Sequence, residues 1–316
     1  MRTPNFWIGL ISMFLAALLA TRIGLNEYLF FAGYVVAQYV LLSTAWNILG
    51  GYAGYVNFGI SGFFGIGVYT TVVLTKLWNA PLPVCIVAAG LLCGLSGLAT
   101  GYLTLRLRGV FFSIATLGLS IVLQTFVLNW DFVGGARGVT LTRPATVMLF
   151  GSYTQWLFVC MVALALVSVG VARWTERSWV GRGLAALRDD EQSAECAGVP
   201  TLRLKLLATT ISGALMGCAG APYPLYVSYV DPYSTFSLAI AVNTLAMPLI
   251  GGTASWAGPV IGALLLGSIQ AVTAVTSLSE ISQLIVGVLL VLFVIVAPNG
   301  LLGLFHRLKA AGRTIQ

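Results

Sequence analysis

The chain has 316 residues, 59% of them hydrophobic and only 8% charged, with 36 glycines and a mean hydropathy of +0.96. An average soluble domain is about 25% charged, so too few charges exist here to coat a globular surface. A soluble enzyme, a disordered chain and a nucleic-acid-binding domain are excluded, and the net charge of +7 rests on 16 basic and 9 acidic residues whose positions matter more than their sum.

Those charges bound uncharged runs at 3–21, 28–75, 77–105, 109–130, 144–172, 206–230, 232–279 and 281–305. A helix needs about 20 apolar residues to cross roughly 30 Å of hydrocarbon. Six runs fit one span each and the two longest fit two, which predicts an all-α bundle of about ten transmembrane helices. In chain order they are expected at 4–21, 28–49, 54–75, 82–104, 109–129, 153–172, 206–227, 236–250, 258–278 and 281–298. Gly50-Gly51 and Gly251-Gly252 mark the turns inside the long runs, because glycine loses most entropy on ordering and tolerates positive φ. Re-entry of either segment without crossing lowers the count to eight or nine. A loose likeness between the two glycine-pair segments hints at an internal repeat.

Lys and Arg collect in cytoplasmic loops. With the N-terminus inside, ten spans return the C-terminus inside. Arg2, Arg106, Arg108, Arg173, Arg177, Arg182, Arg188, Arg203, Lys205, Arg307, Lys309 and Arg313 are then cytoplasmic, and only Arg22, Lys76, Arg137 and Arg143 are external. The basic balance thus reads as membrane topology and needs no nucleic-acid partner. The first span is expected to be retained, since no clear A-x-A cleavage site precedes Thr21.

Several chemistries lack their residues. His306 is the single histidine, and the five cysteines show no C-x-x-C pairing, which disfavours zinc and redox sites. Lys76, Lys205 and Lys309 are followed by Leu, Leu and Ala, so no P-loop is present. Gly59-Ile60-Ser61-Gly62 and Gly94-Leu95-Ser96-Gly97 match the G-x-S-G of intramembrane rhomboid proteases. A serine nucleophile needs a base within reach, and close helix packing through small residues explains both motifs better. No acid falls mid-span, which disfavours an ion-coupled secondary transporter, although backbone carbonyls also bind sodium. The interior polar groups are neutral. Asn47, Asn57, Gln124 and Asn243 are the candidates for a translocation path.

Eleven of the charges fall between Arg173 and Lys205, in one cytoplasmic loop. Within it a short helix is expected from Leu184, released by Gly181 and Gly183 and ended by Gly198 and Pro200. Leu184, Leu187, Glu191 and Ala194 recur at three- and four-residue steps and share one face, suited to a groove in another protein.

The stretch Gly181-Arg182-Gly183-Leu184-Ala185-Ala186-Leu187-Arg188-Asp189-Asp190-Glu191, closing at Gly198-Val199, resembles the coupling loop of ABC-importer permeases of the LivM type, associated with branched-chain amino-acid uptake. Trp46-Asn47-Ile48-Leu49-Gly50-Gly51-Tyr52-Ala53-Gly54-Tyr55-Val56-Asn57-Phe58-Gly59 and Gly258-Pro259-Val260-Ile261-Gly262-Ala263 are similar to two further blocks of that family. The likeness spans roughly residues 40 to 300. One departure is Arg137, in Gly134-Gly135-Ala136-Arg137-Gly138, where the family tends to carry an acid or amide.

The resemblance implies a single permease domain over 1–316 in a bacterial inner membrane, multi-pass, with 173–205 as its cytoplasmic coupling loop. It implies no enzyme activity and no cofactor in this chain, ATP being hydrolysed by partner subunits. The implied partners are a second permease subunit, two cytoplasmic ATP-binding subunits, a periplasmic or extracellular substrate-binding protein and membrane lipid. Leu187, Arg188, Asp190, Glu191 and Gly198 would dock on the ATPase. Branched-chain amino acids are the default substrate, with other amino acids, urea or short amides as competitors. Arg137 is expected either to be a solvated loop residue or to meet the binding protein or an anionic substrate.

Overall fold

A computed structural model of the protein describes residues 3–23, 26–104, 107, 109–142, 151–275, 279–296 and 300–303. Arg2, Arg106, Arg108, Arg143, Arg307, Lys309 and Arg313, which carry part of the orientation argument, lie outside the described residues, as does the single histidine, His306.

Five helices open the fold: α1 (Thr3–Ala20), α2 (Glu27–Gly50), α3 (Ile60–Trp78), α4 (Leu82–Thr104) and α5 (Val110–Leu128). A short strand β1 (Val139–Thr140) precedes α6 (Tyr153–Arg177), and the charged segment forms α7 (Trp179–Asp189) and α8 (Glu191–Cys196). Then come α9 (Thr201–Gly220), α10 (Tyr223–Val227), β2 (Tyr229–Val230), α11 (Pro232–Thr235), α12 (Leu238–Gly251), α13 (Ala257–Val275) and α14 (Ser279–Val296). β1 and β2 pair antiparallel, Val139 opposite Val230, at the end of the bundle away from α7 and α8.

Among the described residues, seven helical segments are long and apolar enough to cross a membrane: Glu27–Gly50, Ile60–Trp78, Leu82–Leu103, Val110–Leu128, Tyr153–Arg177, Thr201–Val227 and Pro232–Gly251. Apolar segments Asn5–Ala20 and Ala257–Val272 are shorter. The protein is a multi-pass membrane protein.

Every expected span overlaps helix, but several limits move. The span expected from residue 54 begins only at Ile60, because the chain from Gly51 to Gly59 runs as a turn and extended segment. The span expected from 206 starts at Thr201 and is interrupted before Pro222, whose ring and missing N–H oppose continuation. α12 starts at Leu238, where the Ser237 side chain accepts from the Ala239 amide. α6 runs on to Arg177, so Arg173, Glu176 and Arg177 extend a membrane helix instead of lying in a loop.

The core centres on α2, whose Trp46 is fully buried, and on the α4–α9 pair. Small residues let α4 and α9 approach closely. A Cβ on Gly97 would stand 2.8 Å from the Thr209 carbonyl oxygen, and one on Gly213 would stand 3.0 Å from that of Cys93. Gly94 and Gly97, from the second G-x-S-G, are therefore packing residues. Ser61, from the first, is buried at the start of α3. All five cysteines are unpaired.

Candidate coupling site

The site begins where α2 ends. Gly51 and Tyr52 both donate backbone N–H to the Asn47 carbonyl at 2.9 Å, which turns the chain out of the helix. Gly54 has φ +75, a conformation that glycine adopts without the cost of a Cβ. The Trp46 indole donates to the Asn57 carbonyl at 2.9 Å and holds the turn against α2. The Asn57 side chain then accepts from the Gly59 amide at 2.7 Å and starts α3. From α5, Ser113 donates to the Val56 carbonyl at 2.8 Å, and Thr116 accepts from the Phe58 amide.

α7 and α8 dock against this turn. The single short helix expected here is two helices broken at Asp190, whose backbone is extended (φ −158, ψ 114). The Asp190 carboxylate accepts from the Ser193 amide at 2.8 Å and caps α8. Those hydrogen bonds, from Ser193 foremost, hold its carboxyl below the usual carboxylate range. Gly181 and Gly183 lie inside α7 instead of releasing the chain before it. Gly181 is glycine because the Thr175 and Glu176 carbonyls leave no room for a Cβ. Gly198 follows α8 with φ +81, as a C′ residue does.

The face shared by Leu184, Leu187, Glu191 and Ala194 survives the break. Leu184, Leu187 and Ala194 are buried against the protein's own body. The two leucines join Leu49, Tyr52, Tyr55 and Phe112 in an apolar cluster separate from the main core. Around it lies a polar ring. The Arg188 guanidinium donates to the Gly51 carbonyl at 3.1 Å, and its stem lies over Gly54, where a Cβ would stand 2.8 Å from Arg188 Cγ. Glu191 accepts from the Tyr55 hydroxyl at 2.6 Å and from the Lys205 ammonium at 2.5 Å. Lys205 also sits 4.6 Å above the Tyr55 ring. Its side chain is only 3% exposed, so the ion pair is desolvated and strongly held.

Of the expected coupling residues, Leu187 is buried and Glu191 half-buried against the turn, Arg188 reaches the Gly51 carbonyl from an exposed position, and Asp190 and Gly198 are exposed. Three partners went unforeseen in the sequence: Tyr55, Lys205 and Gly54. A fourth is Glu176, which accepts from the Trp256 backbone at 2.8 Å and from the Tyr52 hydroxyl at 3.5 Å. It ties the loop after α12 to the same turn. The signal for Lys205 was a lysine closing the charged segment at the edge of an apolar run.

The four path candidates do not meet in one place. Asn47 is buried beside Gly51, and Asn57 starts α3. Gln124 reaches the Pro232 carbonyl at 3.5 Å, on α11. Asn243 is half-buried on α12 beside Tyr39 of α2. Arg137 is exposed, and its carbonyl accepts from the Tyr229 hydroxyl at 2.9 Å.

Residues 28–294 match the family model described as branched-chain amino acid transport system / permease component. The high-affinity branched-chain amino acid transport system permease protein LivM of Escherichia coli is 32% identical over 289 residues, covering 84% of this chain and 67% of the relative. LivH, the permease protein of the same description from Escherichia coli, is 25% identical over 84% of this chain and 92% of its own length. BraD of Pseudomonas aeruginosa is 26% identical over 85% of this chain and 92% of its own. These relatives are transport permeases and not enzymes. With a family match over most of its length and the α7–α8 segment in place, the chain belongs to the branched-chain amino acid permease component family, as a LivM-type permease subunit.

Proposed function

We propose that this subunit moves branched-chain or closely related amino acids across a bacterial inner membrane, driven by ATP hydrolysis on two separate cytoplasmic subunits. A second permease, of which the LivH relative is an example, completes the translocation path, and a substrate-binding protein delivers cargo from outside. ATP binds the partners, and this chain carries no cofactor. It crosses the membrane about ten times with both ends inside, a reading supported by the helix on every expected span.

The observation that carries the reading is the grip of α7–α8 on the 51–55 turn. Asp190 and Gly198 present an outer surface to the ATPase, and Leu187, Arg188 and Glu191 pass its movement inward. A rigid loop helix with no such grip would transmit nothing to α2 and α3. The test is uptake of radiolabelled leucine, supplied with the substrate-binding protein, into vesicles holding the permease pair and its ATPases. Uptake should require ATP and vanish when the ATPase subunits lack their catalytic lysine. Leucine uptake driven by an ion gradient alone would establish a secondary transporter instead.

A further inference from the structure

Helix α1 touches the bundle through Phe6, Trp7 and Leu10 but does not pack against it along its whole length. Between it and α2, α6 and α13 runs an apolar groove of about 570 Å³. On its α1 side lie Phe6, Gly9, Met13 and Ala17, and Trp256 stands at the end that carries α7 and α8. The groove is open beside Gly9, where a Cβ would meet nothing within 4 Å among the described residues. From Phe6 to Ala17 the helix rises roughly 17 Å, close to the roughly 15 Å of one leaflet's hydrocarbon. The opposite face of α1, with Ile8, Ile11 and Leu19, is exposed, so α1 separates the groove from the surrounding bilayer.

A cation marks one end. Arg173 on α6 is buried, its guanidinium 3.9 Å from the Phe6 ring centre and 5.4 Å from that of Trp256. Among the described residues, its Nη2 is buried with no hydrogen-bond acceptor. The neighbouring carboxylate, Glu176, is engaged by the Trp256 amide and the Tyr52 hydroxyl, and Arg177 adds a second positive charge one residue further on. Among the described residues on this part of α6, two arginines stand against one carboxylate, so the charge is under-compensated in a position where the headgroup of a lipid filling the groove would lie.

We propose that the groove between α1 and the bundle is a binding site for one anionic phospholipid. An acyl chain fills the space beside Gly9 and Met13, and the phosphate lies at the end of the groove within electrostatic reach of Arg173, behind Phe6 and Trp256. The apolar lining selects a chain, and the arginine selects the headgroup. A zwitterionic lipid such as phosphatidylcholine brings the same phosphate together with a quaternary ammonium, so it adds no net negative charge to offset the arginine. The inference does not depend on the transported substrate or on the ATPase partner.

Native mass spectrometry of the full chain, released from detergent after incubation with equimolar phosphatidylglycerol and phosphatidylcholine, tests it. One retained lipid is expected, with phosphatidylglycerol favoured about fivefold, the effect of one arginine near a membrane surface. Gly9→Phe and Ala17→Phe, which fill the groove from either half, should each abolish retention of both lipids. Arg173→Gln should keep a lipid but lose the headgroup preference, and Arg173→Lys should restore it. No retained lipid in the wild type, equal retention of the two headgroups, or unchanged retention in both groove-filling variants would each overturn the proposal.

Discussion

The Lys205 ammonium and the Glu191 carboxylate lie 2.5 Å apart, with the lysine side chain almost wholly buried. Lys205 is the fifth residue of α9 and Glu191 opens α8, so this pair fastens the charged segment to a membrane helix. A buried pair of this kind is costly to break and cheaper to replace, since removing one partner strands the other charge.

Glu191→Gln is therefore expected to destabilise the subunit by about 3–5 kcal/mol, read as a lowered midpoint of thermal unfolding in detergent. The double variant Glu191→Met with Lys205→Met should regain most of that stability. Its leucine uptake separates two roles for the pair. Restored stability without restored ATP-driven uptake supports transmission, and full recovery of both reduces the pair to a structural tie.

Gly54→Val should damage the turn twice over, through its positive φ and through contact with the Arg188 stem. The expected loss is about 1–3 kcal/mol, confined to one end of the molecule. Hydrogen exchange should show faster amides in residues 51–59 and in α7, with α4 and α9 unchanged. Equal protection throughout would refute the packing of Arg188 on this turn.

The cap of α8 is pH-dependent with a known sign. Hydrogen bonds from Ser193 stabilise the ionised Asp190 side chain, so its folded pKa lies below the ordinary carboxylate value. Its contribution is present above the unfolded pKa and is lost as pH falls through the folded one. Amide exchange at Ser193 should stay slow from neutral pH to about pH 5, once corrected for intrinsic rate, and accelerate only below the usual carboxylate range near 4. Asp190→Ala should remove that pH step. An undiminished step in the variant would assign it to another group.

Gly97→Leu should separate α4 from α9, since even a Cβ would stand 2.8 Å from the Thr209 carbonyl oxygen. Overpacking of this kind costs about 1–3 kcal/mol. Gly118→Leu, at a position where a Cβ meets nothing within 4 Å, is the control and should be tolerated. Thermal unfolding of the two variants side by side decides the matter.

Local chemistry was enough to read much of the architecture. Spacing between charges located the helices because desolvating a charge in hydrocarbon is expensive, and that penalty acts on each residue by itself. Gly50-Gly51, Gly251-Gly252 and Gly198 marked stops for equally local reasons of backbone freedom. The family likeness pointed to the charged segment as the expected coupling loop.

What the linear chain did not contain was the direction in which that segment faces. A shared face for Leu184, Leu187 and Glu191 follows from helical spacing, but the spacing is silent on whether a partner or the chain itself covers it. Arg188 meets Gly51 across 137 positions, and Tyr55 meets Glu191 across 136. Such contacts depend on which helices pack together, and only the folded bundle sets that. The break at Asp190 is part local and part tertiary: the Asp190 cap on the Ser193 amide competes with helix continuation, and α8 takes the direction that lets Glu191 reach Lys205. From the sequence alone came the membrane class, the helix positions and the charged segment. The tertiary structure decided that the inner half of that segment is bound to its own permease, because burying Lys205 requires a carboxylate brought from elsewhere in the chain.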